Sequence, residues 1–140
     1  MNFNEDLIRS SFAKVGPIAD EFTIQFYRSL FSVNPGVREM FPEDLAGQRK
    51  KLAQALAVMV GRLSDPDTLG PMLQNMGERH VAYGAKSEHY PAVGAALIQA
   101  FEITLKEEFT PDVRDAWLGL YGWVSEQMIT GANRALTPVS

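Results

Sequence analysis

Apolar side chains recur at three- and four-residue steps along most of the chain, which is the period of an amphipathic α-helix. Phe22, Phe26 and Leu30 form one such series in the second predicted helix. No segment alternates apolar and polar residues over the length of a β-strand. The pattern therefore predicts an all-α fold of six or seven helices joined by modest loops.

Capping and turn residues mark where these helices begin and end. Asn4 can cap the first helix, and Gly16-Pro17 separates it from the second, which we expect to end near Asn34-Pro35-Gly36. Thr110 followed by Pro111 predicts the start of the last helix. We expect that helix to fray from Ala135 to Ser140.

A single apolar stripe predicts a third, long helix in the middle of the chain. Its members are Leu45, Gln48, Leu52, Ala55, Leu56, Met59 and Leu63. The pairs Asp65-Pro66 and Gly70-Pro71 are expected to break this helix, so that a shorter fourth helix follows them and stops at Gly84. Ser87 is expected to open the fifth helix.

The composition limits the classes of protein that the chain can belong to. Its 140 residues predict one domain over residues 1–140, and without cysteine it has no disulfide or thiolate metal site. The net charge of −4 and the single short basic run, at residues 49–51, argue against nucleic-acid binding. No apolar stretch is long enough to span a membrane, and the first nine residues lack the apolar core of a secretory signal. We therefore expect a cytoplasmic protein that binds neither nucleic acid nor membrane.

The motifs of the common enzyme classes are missing from the sequence. It has no Gly-rich phosphate loop, no nucleophile elbow and no pair of histidines at metal-ligand spacing. Its two histidines, His80 and His89, could form a zinc site only with several carboxylate partners. Hydrolytic metal chemistry is therefore not expected.

Polar residues interrupt several of the apolar helix faces. His80 and Tyr83 lie on the inward face of the fourth helix, Tyr27 lies beside Phe26 in the second, and Gln48 interrupts the stripe of the third. Helical periodicity alone favours a core histidine that is hydrogen-bonded to a carbonyl over an iron ligand at His80. A buried phenol and a buried amide also need partners, however, and a haem with a bound diatomic gas would supply them.

Several short strings, taken in order, resemble the bacterial single-domain globins and the globin domain of flavohaemoglobins. They are Phe26-Tyr27-Arg28-Ser29-Leu30-Phe31, Asn34-Pro35, Met40-Phe41, Gln48 to Leu52, Arg79-His80-Val81-Ala82-Tyr83-Gly84 and His89-Tyr90-Pro91-Ala92-Val93-Gly94. The similarity covers essentially the whole chain. It implies a globin fold packed around a pocket for haem b, which is iron protoporphyrin IX.

The resemblance also implies roles for individual residues. His80 takes the place of the proximal iron ligand, while Tyr27 and Gln48 take those of the distal pair that acts on the bound gas. The other expected haem contacts are Phe41, Leu52, Tyr90 and Val93. Ala132 stands where flavohaemoglobins have a glutamate near the proximal histidine, so weaker electron donation to iron is expected.

The function implied by the resemblance is reversible binding of oxygen, nitric oxide and carbon monoxide. Flavohaemoglobins convert nitric oxide to nitrate with electrons from an attached flavin domain, so nitric oxide dioxygenation by this chain would need a separate reductase. Two alternatives remain open at this point. One is an oxygen or redox sensor or carrier without turnover, and the other is a haem-free interaction domain with the same fold.

Overall fold

The chain folds into α-helices connected by short turns. The structure is a computed structural model that describes residues 3–136, and within this range it contains six α-helices and no strand. The helices are α1 (Glu5–Val15), α2 (Ala19–Val33), α3 (Ala46–Gly61), α4 (Pro66–Ala82), α5 (His89–Leu105) and α6 (Pro111–Leu136). The prediction of an all-α fold is confirmed. None of the helices described is long and apolar enough to cross a membrane.

The predicted capping residues lie at the helix ends that they were expected to mark. The Asn4 side chain accepts a hydrogen bond from the Leu7 backbone N–H at 3.2 Å, and Thr110 Oγ1 accepts one from Val113 at 3.3 Å. After α4, Gly84 adopts a positive φ of 89°. The N–H groups of Gly84 and of the next residue bond back to Val81 and His80, each at 3.0 Å, which is the Schellman pattern of helix termination.

The predicted start of the fourth helix was wrong. Asp65 caps α4 by accepting a hydrogen bond from the Thr68 N–H at 3.4 Å, and Pro66 occupies the first turn, where its missing donor is not needed. Pro71 lies inside the helix rather than before it. The helix continues through this proline because its face is packed against α6, where Gly70 is buried beside the Trp123 ring.

Two further helix boundaries differ from the sequence-based expectation. The fifth helix begins at His89, because the N–H groups of His89 and Tyr90 bond to the carbonyls of Lys86 and Ser87 in a tight turn. The last helix shows no fraying at Ala135, and it extends to Leu136. The rest of the predicted frayed segment, residues 137–140, lies outside the described residues. The predicted single domain was given as residues 1–140, so its two ends also lie outside them.

Two pairs of helices form most of the core: α2 packs on α5, and α4 packs on α6. Trp117 of α6 is completely buried, with its ring centroid 4.4 Å from that of Phe101 in α5. Its indole N–H donates to Ser11 Oγ of α1 at 2.8 Å, so the buried polar atom is satisfied. Trp117 of α6 is thereby in contact with both α1 and α5.

The crossing of α4 and α6 is set by two glycines. A Cβ atom at Gly77 would collide with the backbone carbonyl of Met128, and one at Gly131 would collide with the carbonyl of Gln74. The two helix backbones are therefore in direct contact. Because His80 lies one turn beyond Gly77, this crossing fixes the position of the segment that carries the predicted iron ligand.

Candidate functional site

The α3–α4 cleft is the space between these two consecutive helices, which are joined only by residues 62–65. Their backbones do not pack closely, in contrast to the α4–α6 crossing. An apolar cavity of about 250 Å³ lies between them. Its lining residues are Gln54, Ala55, Val58, Met59, Leu69, Met72, Leu73 and Met76. Two residues of the apolar stripe of α3, Ala55 and Met59, thus face this cavity together with residues of α4, the helix that carries His80. None of the residues predicted to form the site is among its lining residues.

His80 lies in the last turn of α4 and is half-buried. Its Nδ1 is 2.7 Å from the backbone carbonyl oxygen of Met76. A carbonyl oxygen can only accept a hydrogen bond, so Nδ1 carries a proton, and this tautomer of the neutral ring leaves the lone pair on Nε2. Metal-ligating histidines commonly use their second nitrogen in this way. The imidazole therefore has the tautomer and the orienting contact that a metal ligand requires.

Tyr27 is buried on α2, with 6% of its surface exposed. Its ring lies among the rings of Phe26, Phe31 and Phe41, at centroid distances of 5.0, 6.0 and 5.6 Å. Its hydroxyl donates to the backbone carbonyl of Gln48 at 3.4 Å, which is a long hydrogen bond. Burial raises the pKa of Tyr27 to about 12, so the phenol stays protonated and remains a donor at neutral pH.

Gln48 is half-buried in the first turn of α3. Its carbonyl accepts the hydrogen bond from Tyr27, so the structure brings these two predicted site residues together. The side-chain amide makes no hydrogen bond to any described residue. It is therefore free to contact another group.

The segment before α3 is held in place by Arg38, which the sequence analysis did not single out. Its guanidinium donates to the backbone carbonyls of Phe41, Pro42 and Glu43 at 3.1–3.2 Å and lies 5.1 Å from the centre of the Phe31 ring. These contacts position Phe41, which is half-buried against the core. An arginine before a loop carries no recognisable sequence signal for this role.

Tyr90 and Val93 lie in the first turns of α5, with Tyr90 buried and Val93 half-buried. The Tyr90 backbone carbonyl accepts a 2.6 Å hydrogen bond from the Tyr121 hydroxyl. The Tyr90 hydroxyl is buried and has no hydrogen-bond partner among the described residues, and its burial raises the pKa of Tyr90. Burying an unpaired hydroxyl costs about 1–3 kcal/mol, so a hydrogen-bond partner at this atom would stabilise the protein.

Tyr83 was predicted to face the core, and this prediction was wrong. The side chain is 64% exposed at the C-terminal cap of α4. The helix ends at Ala82 and the backbone turns at Gly84, so helical periodicity no longer applies at Tyr83. Its ring nevertheless contacts that of His80, with centroids 5.5 Å apart.

A haem fits these residues better than a bare metal ion does. No cluster of three or more histidine, aspartate, glutamate or cysteine side chains that could hold a metal occurs within residues 3–136. A metal at His80 would therefore take its other ligands from a non-protein group, and a porphyrin provides four nitrogens in a plane. The half-buried apolar residues Leu52, Met59 and Met76 are suited to contact with such a disc.

Comparison with known proteins shows the family to which the chain belongs. The family model for globins matches residues 24–128 of the chain. The chain belongs to the globin family, and membership of this family implies haem as the cofactor and a diatomic gas as the ligand.

The chain is similar to three particular proteins. It is 31% identical to a flavohemoprotein of Bordetella parapertussis over 136 residues, which cover 92% of this chain and 34% of the relative. The chain thus spans about a third of the length of the curated relatives it matches. A globin of Campylobacter jejuni has the same fold, with a TM-score of 0.82, 24% identity and coverage of 94% of this chain and 96% of that one. An engineered carbene transferase from Rhodothermus marinus, named as a candidate nitric oxide dioxygenase, aligns with a TM-score of 0.83, 25% identity and coverage of 94% and 92%.

Proposed function

We propose that this chain holds haem b in the α3–α4 cleft, with His80 as the proximal iron ligand, and that it binds oxygen, nitric oxide and carbon monoxide reversibly. The observation that carries the proposal is the 2.7 Å contact between His80 Nδ1 and the Met76 carbonyl, which leaves Nε2 free to coordinate a metal. Bound haem would supply the iron at which the gas binds. The walls would come from Phe41 and Leu52, with Val93 on α5 as a further contact.

Tyr27 and Gln48 would act together on the bound gas. The protonated phenol of Tyr27 donates only a long hydrogen bond to the backbone carbonyl of Gln48. A stronger acceptor, such as bound oxygen, can therefore compete with that carbonyl for the phenol proton. Bound oxygen carries more negative charge than bound carbon monoxide, so the donor favours oxygen. The side-chain amide of Gln48 would be a second donor.

A further part of the proposal is the dioxygenation of nitric oxide to nitrate by the oxygen-loaded protein. The similarity to flavohemoproteins and to the Rhodothermus marinus protein supports it. Repeated turnover consumes electrons, which a separate flavin reductase would supply. We expect the activity to take place in the cytoplasm.

A second candidate, a carrier or sensor without turnover, is favoured by the environment of His80. Its Nδ1 bonds to a backbone carbonyl rather than to a carboxylate, and Ala132 on α6 provides no acid. A neutral acceptor polarises the imidazole less than a carboxylate does, so less electron density reaches iron. Peroxide cleavage should therefore be slower than in relatives that keep a carboxylate at this place, whereas oxygen binding does not require the carboxylate.

Rapid mixing of the oxygen-loaded protein with nitric oxide distinguishes the two candidates. For a dioxygenase we expect one nitrate per haem in a single fast phase, and many nitrates per haem after addition of a flavin reductase and a nicotinamide cofactor. If the oxygen-loaded form persists in the presence of nitric oxide, dioxygenation is ruled out and the carrier or sensor is retained. A protein that never forms an oxygen complex would contradict both.

A further inference from the structure

Tyr83 is the only one of the four tyrosines in the chain that is exposed to solvent. It is 64% exposed, whereas Tyr27 and Tyr90 are 6% and 9% exposed. Tyr121 is half-buried, and its hydroxyl is engaged by a backbone carbonyl. A single phenol on the surface is therefore open to reaction with molecules outside the protein.

The ring of Tyr83 is also in contact with the predicted iron ligand. The centroids of the His80 and Tyr83 rings are 5.5 Å apart, with an angle of 71° between their planes. Among the described residues, Tyr83 is the one whose ring contacts the ring of His80. The exposed ring of Tyr83 is therefore in direct contact with the residue that is proposed to bind the iron.

We propose that Tyr83 is an oxidative modification site: when the haem-loaded protein meets hydrogen peroxide, Tyr83 loses an electron through His80, and two copies of the chain become linked through their Tyr83 rings. This inference rests on the proposed function, because bound haem provides the route by which peroxide is reduced. Tyr83 itself has no part in the proposed binding of gases.

The reaction balances between one peroxide and two copies of the protein. Peroxide accepts two electrons and two protons, its O–O bond breaks, and two waters form. Each Tyr83 gives up one electron and its hydroxyl proton. A C–C bond then forms between ring carbons next to the two hydroxyls, and the hydrogens on those carbons move to the phenol oxygens to restore both rings.

The buried tyrosines are poorly placed for the same reaction. A phenol that loses an electron must also release its proton, but the hydroxyls of Tyr27 and Tyr121 point to backbone carbonyls, which do not accept a proton outright. Burial also raises the pKa of both groups, so their protons are held more tightly. Tyr83 can release its proton directly to water, and only an exposed ring can reach a second copy.

The test compares three haem-loaded proteins: the wild type, Tyr83→Phe and the matched control Tyr121→Phe, which loses a half-buried hydroxyl on α6. Each is treated with equimolar hydrogen peroxide and then analysed by denaturing gel, by dityrosine fluorescence and by freeze-quench electron paramagnetic resonance. We expect covalent dimer and a tyrosyl signal from the wild type and Tyr121→Phe. Both should fall at least tenfold in Tyr83→Phe, whose haem absorption should equal that of the wild type.

Several results would overturn the inference. They are a Tyr83→Phe protein that dimerises as the wild type does, a cross-link mapped to another residue such as the half-buried Trp123, and dimerisation of haem-free protein. A wild-type protein that carries haem yet stays monomeric with no tyrosyl signal would overturn the role of Tyr83 and leave the proposed function intact. A protein that does not take up haem would overturn both.

Discussion

Tyr27 combines two properties that rarely occur together, since it is almost completely buried and its hydroxyl has only a weak acceptor. A hydrogen bond to a charged acceptor contributes roughly 1.5–3 kcal/mol. Its loss in Tyr27→Phe should therefore speed oxygen dissociation at least tenfold, which stopped-flow spectroscopy measures directly. Carbon monoxide dissociation should change much less, and Tyr121→Phe serves as a control with the same chemical change elsewhere. An unchanged oxygen off-rate in Tyr27→Phe would show that another group is the donor.

The same burial predicts how stability changes at alkaline pH. Below about pH 10, Tyr27 is protonated in both the folded and the unfolded chain, so it adds no pH dependence. Because its pKa is raised to about 12 in the folded state, the unfolded chain loses this proton first as the pH rises between these values. The free energy of unfolding should therefore fall over this range, and it should fall less steeply in Tyr27→Phe. Urea denaturation across the range, with equal slopes for both proteins, would contradict the assignment.

The α4–α6 crossing depends on the absence of side chains at two positions. Gly131→Ala places a methyl group on the Gln74 carbonyl, and overpacking of this kind costs roughly 1–3 kcal/mol or more. Gly122→Ala, in the same helix but with open space around its Cβ, should instead stabilise the protein by roughly 0.5–1 kcal/mol. Urea denaturation of the two variants is the measurement. Equal effects would mean that the helices can separate at the crossing without cost.

Helix ends could be predicted where a local hydrogen bond decides them. Asn4, Thr110 and Gly84 act through neighbours a few residues away, and all three are in the predicted role. Pro71 was misread because the packing of α4 on α6, a contact distant in sequence, outweighs the missing N–H of one proline. Local sequence carries no record of that contact.

The candidate site was predictable in its outline and not in its details. Unusual polar residues on apolar faces revealed His80, Tyr27 and Gln48, because burial of such groups requires partners. The roles proposed for them are still predictions. The exposure of Tyr83 was missed because helical periodicity was extended one residue past the end of α4, and the three carbonyl contacts of Arg38 exist only in the folded chain.

The central claim is that His80 and the α3–α4 cleft bind haem, and titration of the purified protein with hemin tests it most directly. The absorbance of the Soret band is followed as hemin is added to the protein and, separately, to buffer. We predict a sharp new band that saturates at one haem per chain and is lost or strongly shifted in His80→Ala. A colourless protein that leaves hemin in its free form, or a wild-type spectrum unchanged in His80→Ala, would contradict the claim.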